Sequence, residues 1–131
     1  MKSLTADDIG KLLLRLTLGV LILLHGIGKL TGDISYIGRM LQGAGLPGYL
    51  GYGVYIGEVL APLLVILGWY SRVGALLIAI NMVFAVVLAH QSDIFSLTRS
   101  GAWALELQAL FLVTAVALLL MGPGRISINR R

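Results

Sequence analysis

The chain has 131 residues, 58% of them hydrophobic and only 12% charged, with ten Lys and Arg against six Asp and Glu. A soluble domain carries about 25% charged residues, so this composition, with a mean hydropathy of +0.94, excludes an ordinary soluble fold. The absence of cysteine excludes disulfides, thiolate nucleophiles, thiolate zinc sites and Fe–S ligation by this chain. Residues 1–10 are polar, and Thr5, Asp7 and Asp8 offer helix N-caps. No cleaved signal is expected, because Asp7 and Asp8 interrupt this region and the first apolar run carries Arg15.

The first membrane span is expected over residues 12–30, close to the ~20 residues a bilayer needs. At about 100° per residue, Arg15, Gly19, Ile22, Gly26 and Lys29 fall on one stripe, with His25 on its flank. Two glycines between cationic ends would let a second helix approach closely. Ile34 to Leu46 reads as a short interfacial helix. Gly43, Gly45, Pro47 and Gly48 then turn the chain into a second span over 49–67, with Tyr49, Tyr52, Tyr55 and Trp69-Tyr70 at its two interfaces. Within it Pro62 has no N–H for the Glu58 carbonyl, which predicts a bend at Glu58. The third span is expected over 73–89, containing Asn81 and ending at His90. The fourth is expected over 102–121, with Glu106 in its second turn and Gly122-Pro123-Gly124 as its stop.

With the N-terminus inside, Lys2, Lys11, Arg15, Arg72, Arg125, Arg130 and Arg131 face the cytoplasm and Lys29, Arg39 and Arg99 the outside. Seven against three predicts both termini in. Because the basic residues cluster at helix ends, the positive charge reads as membrane topology and not as a nucleic-acid surface. The expected architecture is a single domain over 1–131, an all-α integral membrane four-helix bundle, N-in and C-in.

Arg15 and Lys29 are fourteen residues apart, roughly 21 Å along a helix. Lys29, His25, Glu106 and His90 are therefore placed near the outer face, and Glu58 near the midplane. Lys29 is expected to pair with Glu106, and Arg15 or His25 to approach Glu58. Arg15 also lies close enough to the inner interface to snorkel. An unpaired carboxylate at mid-bilayer costs about 2.5–3.5 kcal/mol, so Glu58 is expected to be paired or protonated. Asn81 is expected to join helices.

Arg15, Gly19, His25-Gly26-x-x-Lys29, Glu58, Leu67-Gly68, Arg72, Glu106 and Gly122-Pro123-Gly124-Arg125 together resemble the DoxX family. The resemblance covers nearly the whole chain. It implies a small multi-pass bacterial inner-membrane protein of four helices. Its namesake relatives are associated with thiosulfate:quinone oxidoreductase, and others with membrane-bound redox or detoxification complexes.

On that basis Glu58 and His25 are candidate proton-transfer groups, His25 because it titrates near neutrality. His25, Lys29, Glu58, Glu106 and Arg15 are candidates for holding a quinone ring or lipid headgroup. No covalent cofactor or metal is expected, and any electron carrier would come from a redox-enzyme partner. Membrane lipid is the expected surrounding, and self-association is left open. The alternatives are a transporter or an assembly factor that recognises a partner helix. A further alternative is a b-type haem protein using His25 and His90.

Overall fold

A computed structural model describes the backbone of residues 3–31, 35–89, 97, 101 and 105–129, and their side chains except at 29–31, 35–37, 50, 51, 54, 88 and 89. The elements among the described residues are all helices. Helix α1 spans Ala6–Thr31 and α2 spans Ser35–Gly43. A 3-10 helix at Gly48–Tyr52 and a short α3 at Gly53–Tyr55 lead into a π-helical turn at Ile56–Leu60. Then come α4 at Ala61–Leu67, α5 at Ser71–Ala89 and α6 at Glu106–Met121.

Helix α1 starts six residues ahead of the expected span, and the cause is its cap. The Thr5 hydroxyl accepts the Asp8 N–H at 3.2 Å, while Asp8 Oδ2 accepts the Thr5 N–H and hydroxyl at 3.0 Å each. This reciprocal box satisfies N–H groups that have no partner inside the helix. By length and composition α1 can cross a membrane over Ala6–Gly28, whereas the apolar stretches Ile56–Leu67, Ser71–Val87 and Glu106–Met121 are shorter.

The second expected span is not one regular helix. The Ala61 N–H bonds the Ile56 carbonyl, five residues back. The missing N–H of Pro62 thus widens the helix by one residue at Glu58, and the expected bend takes the form of a π turn. Helix α4 ends at Gly68 in the left-handed conformation (φ 69°), with the Trp69 N–H on the Leu64 carbonyl and the Gly68 N–H on Val65. Only glycine adopts that φ at little cost, which is why the helix stops there.

Side chains of α1, α4, α5 and α6 meet in one buried cluster, including Leu18, Ile22, Val65, Ile78, Phe111 and Leu118. Small residues set its spacing. Ala61, Ala75 and Ala115 are completely buried. A side chain at Gly19 would collide with Ile66, one at Gly26 with the Glu58 carbonyl, and one at Gly74 with the Ala61 carbonyl. Close backbone approach through small residues is how helices associate where lipid removes the hydrophobic drive. The outward faces carry Leu13, Leu24, Ile80, Phe84, Leu110 and Val113, all exposed. Apolar surface on that scale suits lipid and not water.

Candidate functional site

The α1 stripe pairs antiparallel with the Ile56–Leu67 segment, and this pairing sets the depth of every polar group. Arg15 meets Val65 and Ile66, Gly19 meets Pro62 and Ile66, and Gly26 meets Glu58. As predicted, Arg15, Gly19, Ile22 and Gly26 are all buried.

At one end Arg15 is buried to 1% exposure. Its Nε donates to the Val65 carbonyl and Nη2 to Ile66, each at 3.0 Å. Nη1 donates to Pro123 at 3.0 Å and also to Ile126. The expected approach of Arg15 to Glu58 is therefore corrected, and so is the snorkelling alternative. A guanidinium has five N–H donors and no acceptor, so helix-end carbonyls serve it as well as a carboxylate would. Val65 and Ile66 are in the last turn of α4, where carbonyls lack regular i+4 partners and the helix dipole favours a cation; Val65 also takes the Gly68 N–H. The tail completes the seal. Ile128 and Asn129 donate their N–H groups to Leu67 and Gly68, and Asn129 Oδ1 accepts the Tyr70 N–H at 2.8 Å.

At the other end lies Glu58, 4% exposed, inside the π turn. Its carbonyl rests on Gly26, eleven residues from Arg15 and three from Lys29. At ~1.5 Å per residue it lies about 16 Å from the Arg15 level and about 5 Å from the Lys29 level. The expected depth, near the midplane and between the Arg15 and His25 levels, is thereby corrected toward the Lys29 end. Counting from Tyr49 assumed regular helix where the chain is first 3-10 and then π. The neighbouring Gly57 packs on the Asn81 side chain, so Asn81 joins helices as expected.

His25 is on the exposed flank of α1. Its Nδ1 lies 2.8 Å from the Leu21 carbonyl. A carbonyl only accepts, so Nδ1 carries the hydrogen in this contact and Nε2 is the ring's other nitrogen. The ring meets Phe111 edge-on, with centroids 5.8 Å apart. Glu106 is exposed and opens α6, a correction to its expected place in a second turn. Lys29 lies in the last turn of α1, but its side chain, and with it the pairing to Glu106, falls outside the described residues. His90 does too, and with it the paired-histidine haem site.

Sequence reasoning passed over Gln108. Its Oε1 is buried with no hydrogen-bond partner among the described residues, a condition that normally costs about 1–3 kcal/mol. Gln108 lies one turn from Phe111, the residue His25 touches. An amide in an otherwise apolar helix was the available signal.

The chain is similar to a Bacillus subtilis (strain 168) protein named "Putative oxidoreductase CatD", with 28% identity over 125 residues, 93% of this chain and 86% of that one. No solved structure matches. Residues 10–91 match the DoxX family. That stretch holds Arg15, His25, Lys29, Glu58 and Arg72 and leaves out Glu106, Gln108 and the closing Gly122-Pro123-Gly124-Arg125. With an α1 able to cross a membrane and apolar outward faces, this match makes the chain a membrane protein of the DoxX family.

Proposed function

We propose that the chain is a multi-pass bacterial inner-membrane four-helix bundle, both termini cytoplasmic, which binds a quinone or quinol ring beside Glu58 for a redox-enzyme partner. The clustering of Lys11, Arg72 and Arg125 around one cleft at the opposite end supports that orientation. The similarity to a protein named an oxidoreductase supports the redox association.

The observation that carries the reading is the unsatisfied Gln108 Oε1 at the same end as the buried Glu58. An acceptor without a donor fits a hydroxyl-bearing ligand, and a quinol brings two hydroxyls in an apolar ring. In this reading Gln108 accepts one hydroxyl, Glu58 takes a proton, and His25 Nε2 exchanges it toward the outer side. Lys29 and Glu106 form an ion pair at the mouth. Arg15 serves the bundle's other end.

The test is binding of a short-tailed quinol to the purified protein by equilibrium dialysis across pH 5–9. Wild type should bind with a pH dependence. Glu58→Gln keeps the shape but does not titrate, so that dependence should disappear. Glu58→Gln binding as wild type does across the range would return Glu58 to a packing role, and no binding by wild type would end the quinone reading.

One observation favours a second reading, recognition of a partner helix. His25 presents Nε2 on an exposed face of α1, where a neighbouring helix could meet it. His25→Ala that loses a co-purifying protein while keeping quinol binding would separate the two.

A further inference from the structure

A cleft of about 230 Å³ opens at the Arg15 end, lined by Asp8, Lys11, Arg72 and Arg125, with Met121 to Gly124 as its floor. Three cations reach it from three separate segments: Lys11 from α1, Arg72 from the first turn of α5, and Arg125 from the tail. Asp8 contributes less negative field than its charge suggests. Its Oδ2 accepts the Thr5 N–H and hydroxyl, and its Oδ1 accepts the Arg125 N–H at 3.2 Å. Arg125 Nε is 4.0 Å from it. Lys11 lies 2.8 Å from Asp7, but that carboxylate is 70% exposed, and such solvated pairs hold a lysine only weakly.

Arg72 is exposed and has no carboxylate or carbonyl partner among the described residues. Its guanidinium lies against Gly122, where an added Cβ would come within 2.8 Å of Nη2 and 3.1 Å of Nε. Gly122 has φ 79°, which favours glycine there and lets the Arg72 fork lie close over the backbone at the cleft, its donors unspent among the described residues.

We propose that this cleft binds a phosphate group. A planar guanidinium matches two phosphate oxygens at once, and a lysine ammonium supplies a point charge for a third. Two sources share this chemistry: the phosphodiester of an anionic lipid, or a soluble phosphate compound. Leu120 and Val73, both exposed and apolar beside the cleft residues in sequence, offer acyl chains a surface. The site lies at the end away from Glu58 and stands or falls independently of the quinone reading.

The experiment uses the full chain in a zwitterionic detergent with phosphatidylglycerol and inorganic phosphate as separate probes, read by native mass spectrometry and by thermal shift. At least one probe should bind saturably and weaken as salt rises. Phosphatidylglycerol alone identifies a lipid headgroup, phosphate alone a soluble ligand, and both together recognition of the phosphoryl group itself. Arg72→Gln should weaken binding about tenfold or more, with Arg72→Lys in between. Arg72 is exposed, so the unliganded melting temperature should not change. If Arg72→Gln fails to fold, Lys11→Gln should show the same loss. No binding of either probe, or equal binding by wild type and a folded variant, overturns the proposal.

Discussion

At one end of the molecule a buried arginine is met by four carbonyls from α4 and the tail. At the other a buried glutamate sits where the regular hydrogen bonding of its helix breaks into a π turn. The first region resolves the Arg15 charge with main-chain dipoles, so that guanidinium and its four carbonyls are used in holding helices together. The second keeps an acceptor at Gln108 that is unpartnered among the described residues, and an imidazole nitrogen at His25 beyond its one carbonyl contact. Burial alone therefore does not mark a functional charge in a membrane. What separates Arg15 from Gln108 is that the guanidinium is met by four carbonyls, whereas Gln108 Oε1 has no partner among the described residues.

The comparison breaks most visibly if Arg15 is removed. Arg15→Met strands the carbonyls of Ile66, Pro123 and Ile126 and takes one of two donors from Val65. At about 1–3 kcal/mol for each one left unsatisfied, the variant should lose several kcal/mol, and its melting temperature in detergent should fall furthest of all those described. Arg15→Lys should rescue little, because one ammonium cannot span two segments. A melting temperature within a degree or two of wild type would show that the clamp is dispensable.

The glycine spine sharpens the contrast at the Glu58 end. Gly26→Ala drives a methyl into the Glu58 carbonyl carbon, 2.6 Å away, and Val59 Cγ2, 2.9 Å away, and should cost about 1–3 kcal/mol. Gly28→Ala, two residues on with open space around it, should gain up to about 1 kcal/mol from helix propensity. Chemical unfolding of the two variants side by side checks the pair, and equal shifts would mean that Gly26 makes no special contact. The smallest expected effect is at the cap: Thr5→Ala should cost about 1 kcal/mol and leave quinol binding unchanged, measured in the same assays.

The α1 stripe was readable because period 3.6 and two glycines specify a face regardless of what packs on it. A bend at Glu58 was readable from Pro62, but its π form was not. The role of Arg15 was not, because its partners are carbonyls, which every residue carries, and a search among side chains finds only carboxylates. The depth of Glu58 was misjudged for a related reason: helix register comes from the partner helix, and Gly26 fixes it. Gln108 was visible as an amide in an apolar helix, but its lack of a partner was not, since an unsatisfied atom is a property of packing.

The Arg15 clamp also imposes an order on biosynthesis. Its partners in α4 lie 50 and 51 residues downstream, and those in the tail 108 and 111. At about 5–20 residues per second, a ribosome needs roughly 5–20 s after placing Arg15 to deliver the last of them. For the first half of that interval none of these acceptors exists, and for the second half only the two in α4 do. The set of four is complete only when the tail arrives, so the clamp is among the last contacts the chain can make.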